Sequence, residues 1–387
     1  MRAVVVGGGV IGLSIARAIT ARGTRDVVVL ERATLGSGGT GKSSGVVRCH
    51  YGVPSLAAMA WKSVPYFEAA GSEVGFHQVG YVVGVGAADE EALRANVEMH
   101  QTLGIAVELI KHDQVEQLWP YAHLSDVAAF AYEPRGGYAD ASQTAFAFGR
   151  EARSAGARIR QGLPVVSVAT IGDRVTGVVT ADGSTVEADV VVLATGAWSP
   201  ALLEPLGVRF PVRAQRSELL MVDAGEPLPG LPVLSDLVSL QYVRPEVSGH
   251  LLVGTSDHRT PEFADPDNYS NRASPAGIEK AAAKVLHRFP KFPDASVATT
   301  YAGCYDVTPD YNPVIAPVGP AGLFLAAGFS GHGFKISPAV GELVADLVLT
   351  GTSQDPLIPA ADFRLDRFDE GKPLRGEHTY VGAGQMR

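Results

Sequence analysis

The chain has 387 residues, with 32 Lys and Arg against 41 Asp and Glu for a formal net charge of −9. Hydrophobic residues at 46% and charged residues at 19% exclude a disordered or collagenous chain and fit a folded protein of two domains. The acidic balance, with no run of Lys and Arg, argues against a nucleic-acid partner, and no stretch approaches the ~18 apolar residues of a membrane span, so a small molecule is the expected partner.

The first thirty residues read as a βαβ unit, with a buried strand over 3–6, a helix over 10–22 and a second strand over 27–30. Ile11, Ile15, Ala18 and Ile19 fall on one helix face. A glycine- and serine-rich loop covers 36–45. Helical patterns alternate with a strand over 80–85 until the turn residues at 133–137, after which Asp140 is placed to cap a helix ending near Gly156. Short strands follow over 165–169, 175–180 and 190–193, the first two forming a hairpin. Strands over 217–222, 238–243 and 250–253 predict a mostly antiparallel sheet in the middle of the chain. A helix over 277–287, a strand over 323–327 and a helix over 338–349 complete the order, and the polar tail beyond Phe368 is expected at the periphery.

Gly7, Gly9 and Gly12 satisfy GxGxxG between the first strand and the first helix, and Glu31 follows 19 residues after Gly12 at the end of the second strand. In this order Gly7 makes a tight turn, Gly9 admits a pyrophosphate against the backbone, Gly12 lets the helix pack, and the acid accepts from ribose hydroxyls. The pattern indicates a dinucleotide without choosing between NAD and FAD. A second buried strand ends in Ala194-Thr195-Gly196. Near the C-terminus, Ala327-Gly328-Phe329-Ser330-Gly331-His332-Gly333-Phe334-Lys335 is a glycine-rich turn entering a helix, whose N–H groups and positive dipole end suit the electron-rich edge of a reduced flavin.

With the ATG strand, Gly136-Gly137 and its helix, Val307-Thr308-Pro309-Asp310 and the segment 363–368, this ending resembles the sarcosine oxidase and glycine oxidase branch of the D-amino-acid oxidase superfamily over nearly the whole chain. The resemblance implies an α/β fold, α+β overall. A Rossmann-like FAD-binding domain (1–50, 137–205 and 300–365) would be interleaved with a β-sheet-rich substrate domain (51–136 and 206–299), and 366–387 would form the peripheral tail. It implies a cofactor site of Gly7, Gly9, Val10, Ile11, Gly12, Glu31 and Arg32. Lys42, Ser43, Ser44 and Gly45, then Val165, Thr195, Gly196 and Trp198, and finally Gly331, His332, Gly333, Phe334 and Lys335 complete it. Arg48 and Lys335 would hold a substrate carboxylate and aim its neighbouring carbon at the flavin. Tyr242 and Tyr305 would line the cavity, and His50 and His258 are candidate general bases.

Three departures from the family qualify the activity. The position that carries a flavin-tethering cysteine in monomeric sarcosine oxidases falls on Gly303, which implies non-covalent FAD. The histidine that holds FMN in the heterotetrameric type is replaced by Ala141, so a second flavin is not expected. The lysine offered to O2 in monomeric oxidases has no counterpart in 250–254, which leaves O2 or another redox partner as electron acceptor. The expected reaction is FAD-dependent oxidation of a carboxylate-bearing amine or amino acid to an imine. A 2-hydroxy-acid dehydrogenase and the flavin subunit of a hetero-oligomer are the alternatives. Cys49 and Cys304 lack CxxC spacing and no HExxH or HxxxH occurs, so neither a disulfide framework nor a metal is expected, and a cytoplasmic location fits.

Overall fold

In the computed structural model the described residues are 1–225, 228, 230–292 and 294–383. Continuous Val-rich runs at Arg2–Val6, Asp26–Leu30 and Val190–Leu193 are buried on both faces and pair in parallel at the centre of a six-stranded sheet. Arg158–Arg160 extends it beyond Asp26–Leu30. Leu323–Ala327 adds in parallel to Val190–Leu193, and Val314–Pro317 closes the edge antiparallel. The helices Val10–Ala21, Ala141–Ser154 and Gly333–Thr350 pack together on one face. Asp140 caps the second of them, its carboxylate accepting from Gln143 N–H at 2.8 Å.

A nine-stranded, mostly antiparallel sheet forms the second layer and is assembled from two separate stretches of chain. Tyr81–Val85, Glu108–Ile110 and Ala129–Glu133 join strands from Arg213–Asp223 onward through the parallel pairing of Tyr81–Val85 with Val233–Asp236. Ser296–Val307 runs antiparallel to Arg213–Asp223 along its whole length, from Arg213 opposite Val307 to Asp223 opposite Ser296. This strand therefore belongs to the nine-stranded sheet, and residues 300–307, expected with the parallel strands, pair there instead. A separate three-stranded sheet carries Val165–Ile171 and Arg174–Thr180 as a hairpin, with Thr185–Glu187 at its edge.

Three further expectations are corrected. The single strand over 238–243 is two, Val233–Asp236 and Gln241–Pro245. Asp236 accepts from the N–H groups of Val238 and Ser239, and Leu240 takes φ 54°, so the chain turns where the apolar pattern runs on. The last helix begins at Gly333, five residues before Pro338. The proline cannot donate to the Phe334 carbonyl, and the Ser337 hydroxyl does so instead at 2.7 Å. The tail is not wholly peripheral. Most of 374–383 is exposed or half-buried, but Tyr380 and Ala383 are buried, Leu374 N–H donates to Asp310 and Asn96 Nδ2 donates to the His378 carbonyl, which ties the segment down at those points. The end of the expected tail, 384–387, lies outside the described residues. Among the described residues no helix is long and apolar enough to cross a membrane.

Candidate functional site

The glycine loop is built to admit a dinucleotide. Gly7 has φ +111°, and a Cβ there would lie 2.4 Å from the Ala194 carbonyl oxygen, while a Cβ on Gly12 would lie 2.0 Å from the Gly7 oxygen. Gly9 meets only the Thr40 hydroxyl, and it caps a helix whose first turn, Val10 and Ile11 included, has no side-chain cap at Gly9 and no acid. That end therefore presents N–H groups and a positive dipole to an anion, although Val10 N–H at present donates to Thr40 Oγ1 at 3.0 Å. The Glu31 carboxylate stands beside the loop, accepting from Gly8 N–H at 2.7 Å and Ala33 N–H at 2.8 Å. Leu163 N–H donates to the Glu31 carbonyl, which brings Val165, the first residue of its strand, close to the same edge.

Arg32 lies 4.1 Å over the Trp198 ring, and Asp267 from the cap pairs with both, at 2.9 Å to each. Thr195 Oγ1 bonds Ser199 Oγ at 2.9 Å, and Gly196 takes φ +51° with its open side toward Asp306. The helical turn Gly39–Lys42 and Ser43 lead into Ser44 and Gly45, where a Cβ on Gly45 would collide with the Ala139 oxygen at 2.0 Å. These close approaches fit a flat, extended cofactor running from the first helix toward Ser44, as FAD would.

The turn 328–333 lies at the other end of this path. Gly328, Ser330 and Gly331 all have positive φ. Asp306 holds the turn, its carboxylate accepting from Gly328 N–H at 2.6 Å and Phe329 N–H at 3.1 Å, and its carbonyl from Ser330 N–H at 3.1 Å. Burial pushes the Asp306 carboxyl up, against the pull of these donors. Asp306 has no role in the sequence reading. Gly333 opens the helix, and Phe334 packs 5.4 Å from Phe67, fixing the first turn.

Between the turn and the cap sheet lies a cavity of about 30 Å³ lined by Ser44, Val46, Arg48, Ser235, Tyr242, Ser256, Tyr305, Gly331, Lys335 and Ala383. Arg48, Lys335, Tyr242 and Tyr305, far apart in sequence, meet here. Arg48 is 4% exposed and Lys335 7%. Among the described residues neither has a carboxylate within 4 Å, which is unusual for buried cations. Arg48 lies 4.3 Å over the Tyr51 ring and donates through Nη1 to the His50 carbonyl, and Lys335 Nζ reaches the Gly331 carbonyl at 3.4 Å. Burial, then Arg48, pushes the Lys335 ammonium well below its ordinary pKa. Burial, then the neighbouring Tyr305, drives the Tyr242 hydroxyl well above its ordinary pKa, against the pull of Ser44. Ser235, Ser256 and Ala383 were missed, because nothing local marks a serine or alanine as facing a cavity built from remote segments.

His50 and His332 do not line this cavity. His50 is fully buried behind Arg48, with Nε2 bonded to Tyr380 OH at 2.8 Å, and burial holds its pKa well down. It is thus withdrawn from any substrate, contrary to its expected role as a base. His332 lies with its ring tilted against Tyr51, the centroids 5.0 Å apart, and is kept neutral by burial, Lys335 and Arg48. His258 is also buried, with Nδ1 3.2 Å from Gln215 Nε2. The segments 307–310 and 363–368 are joined by a fully buried ion pair, Arg367 Nε to Asp310 at 2.8 Å, and Asp310 also receives Asn312 and Leu374 N–H groups.

The chain is 30% identical to 4-methylaminobutanoate oxidase (formaldehyde-forming) of Paenarthrobacter nicotinovorans over 91% of its own length, but spans only 44% of that protein. It is 28% identical to sarcosine oxidase subunit beta of an Arthrobacter species, covering 97% of this chain and 92% of the relative. The fold superposes on L-proline dehydrogenase of P. horikoshii with a TM-score of 0.88 at 26% identity, covering 97% and 99% of the two chains. The family model of FAD dependent oxidoreductases, DAO, matches residues 2–347, and with a site shaped for that cofactor the chain belongs to this family of flavoenzymes.

Proposed function

We propose that this enzyme oxidises a carboxylate-bearing secondary amine or amino acid, with N-methyl and cyclic amino acids as the first candidates. The observation that carries the reading is the convergence of Arg48 and Lys335, two buried basic side chains with no carboxylate within 4 Å among the described residues, in one cavity. A substrate carboxylate there would receive charge-assisted hydrogen bonds from both and be held in one orientation. Tyr242 and Tyr305 supply the flat wall against which the amine end packs. Bound FAD supplies the hydride acceptor. The chain's part is to orient the substrate, exclude water and hold the amine in its neutral form, and the imine product hydrolyses after release. The relatives named for methylaminobutanoate, sarcosine and proline support the same substrate class.

The hydroxy-acid alternative requires a group to take the hydroxyl proton; among the described residues no histidine or carboxylate lines the cavity, which leaves that role to Lys335. FAD is bound without a covalent link in this reading. A side chain at Gly303 would place its Cβ 2.5 Å from Lys42 Cβ, leaving no room for a tether. Electrons pass to O2 or to a redox partner, and two unpaired cysteines suit a reducing, cytoplasmic setting. The test is anaerobic titration of the FAD-loaded protein with N-methyl amino acids, proline and glycine, followed by air. Bleaching of the flavin bands by one of these is expected. Bleaching by hydroxy acids and by none of the amines would overturn the reading, and the speed of recovery in air separates an oxidase from a dehydrogenase.

A further inference from the structure

Directly behind Arg48 lies a polar cluster that the reaction above leaves unused. Glu133, at the end of the strand Ala129–Glu133, is 3% exposed. Its Oε2 accepts from Cys49 N–H at 2.7 Å, while its Oε1 is buried without a partner, 3.9 Å from His50 Nδ1. His50 Nδ1 and His100 Nδ1 are also buried and unpaired, and the three residues bring their ligand-type atoms within 4.8 Å of one another. The outer nitrogens of both rings are engaged, His50 Nε2 with Tyr380 OH at 2.8 Å and His100 Nε2 with the Tyr51 carbonyl at 2.7 Å. Donation to that carbonyl places the His100 proton on Nε2 and leaves Nδ1 as an acceptor. A metal suits the cluster poorly. The 3.9 Å gap exceeds the edge of roughly 3.3 Å in a tetrahedral zinc shell, and Arg48 stands beside it.

A proton suits it well. We propose that Glu133 is the internal counter-charge of Arg48 in the free enzyme and takes up one proton when a substrate carboxylate docks on Arg48. The inference rests on the carboxylate reading of the cavity. Glu133 acts through Arg48 and touches no substrate. The groups that face Glu133 are Arg48, Cys49, His50 and Tyr51 from the segment after Val46–Val47, His100 from the helix Glu90–Thr102, and Tyr81 opposite it on the neighbouring strand. Burial and Arg48 keep His50 and His100 neutral, and burial keeps the Cys49 thiol and both tyrosines protonated. For Glu133, burial pushes the carboxyl up to about 7, while Cys49 N–H and Arg48 sustain the ionised form. Glu133 is therefore the member of the cluster poised to change charge near neutrality. Once a ligand carboxylate neutralises Arg48, one of its two supports is gone and the proton returns, with Oε1 facing His50 Nδ1 to receive it. Lys335 is the competing acceptor on the ligand side, since a carboxylate would also favour its ammonium form.

The test is calorimetric titration of the oxidised, FAD-loaded protein with propionate, a carboxylate with no amine to oxidise, in buffers of different ionisation enthalpy from pH 6 to 8.5. Uptake of close to one proton per propionate is expected at pH 8, falling toward none at pH 6, and Glu133→Gln, which keeps an acceptor for Cys49 N–H, abolishes it. A pH-difference infrared spectrum without ligand gives a second readout, a buried carboxyl C=O band that appears on acidification and is absent from Glu133→Gln. Uptake that persists in Glu133→Gln would assign the proton to Lys335 and overturn the proposal, as would propionate binding with no uptake in the unaltered protein. Failure of any carboxylate to perturb the flavin spectrum would instead remove the carboxylate reading itself, and this inference with it.

Discussion

Replacing Arg48 with methionine separates carboxylate recognition from folding. The side chain is buried, one of its N–H groups is used internally on the His50 carbonyl, and its forked face borders the cavity beside Lys335. A hydrogen bond to a charged group contributes about 1.5–3 kcal/mol, so loss of the guanidinium with Lys335 still in place costs about 2–3 kcal/mol of carboxylate affinity, or roughly 30- to 150-fold. Methionine fills much of the same space against Tyr51, and Glu133, left without its counter-charge, takes up a proton instead of standing as an unpaired buried anion. The urea midpoint should therefore change little below pH 7. The assay is the dissociation constant of propionate, read from the flavin spectrum, beside that of propionamide, whose affinity should change far less. A change in propionate affinity below threefold, with full FAD content, would refute the assignment of Arg48 to the carboxylate.

Gly12→Ala drives a Cβ to 2.0 Å from the Gly7 oxygen and should yield protein that retains little FAD, seen as a raised ratio of protein to flavin absorbance. Arg367→Ala leaves the Asp310 carboxylate buried and unpaired, and a loss of about 3–5 kcal/mol is expected in urea unfolding. The Glu133 carboxyl, raised in the folded protein to about 7, contributes stability that is fully present below the unfolded carboxyl pKa and is lost as pH rises through 7. The unaltered protein should thus lose stability relative to Glu133→Gln between about pH 4.5 and 7, as read from melting temperatures of the two proteins.

The dinucleotide loop and the parallel strands beside it were legible in the sequence because their constraints are local. Gly12 is required by a collision within one βαβ unit and Gly7 by its positive φ there, and valine runs buried on both faces announce a parallel sheet without knowledge of their neighbours. The proposed carboxylate-binding pair was legible only through resemblance, since Arg48 and Lys335 become a pair by packing of the last helix beneath the Val46–Val47 strand. Tertiary structure alone decided the rest. It moved Ser296–Val307 into the cap sheet, because register with Arg213–Asp223 outweighs proximity in sequence to the FAD-binding strands. It withdrew His50 behind Arg48 and brought two residues of the polar tail inward, where Tyr380 meets His50 and Ala383 borders the cavity. Burial and partnership are properties of the assembled chain. A histidine, a glutamate or a tyrosine carries no local mark of which remote segment will exclude water from it, and that exclusion sets its chemistry.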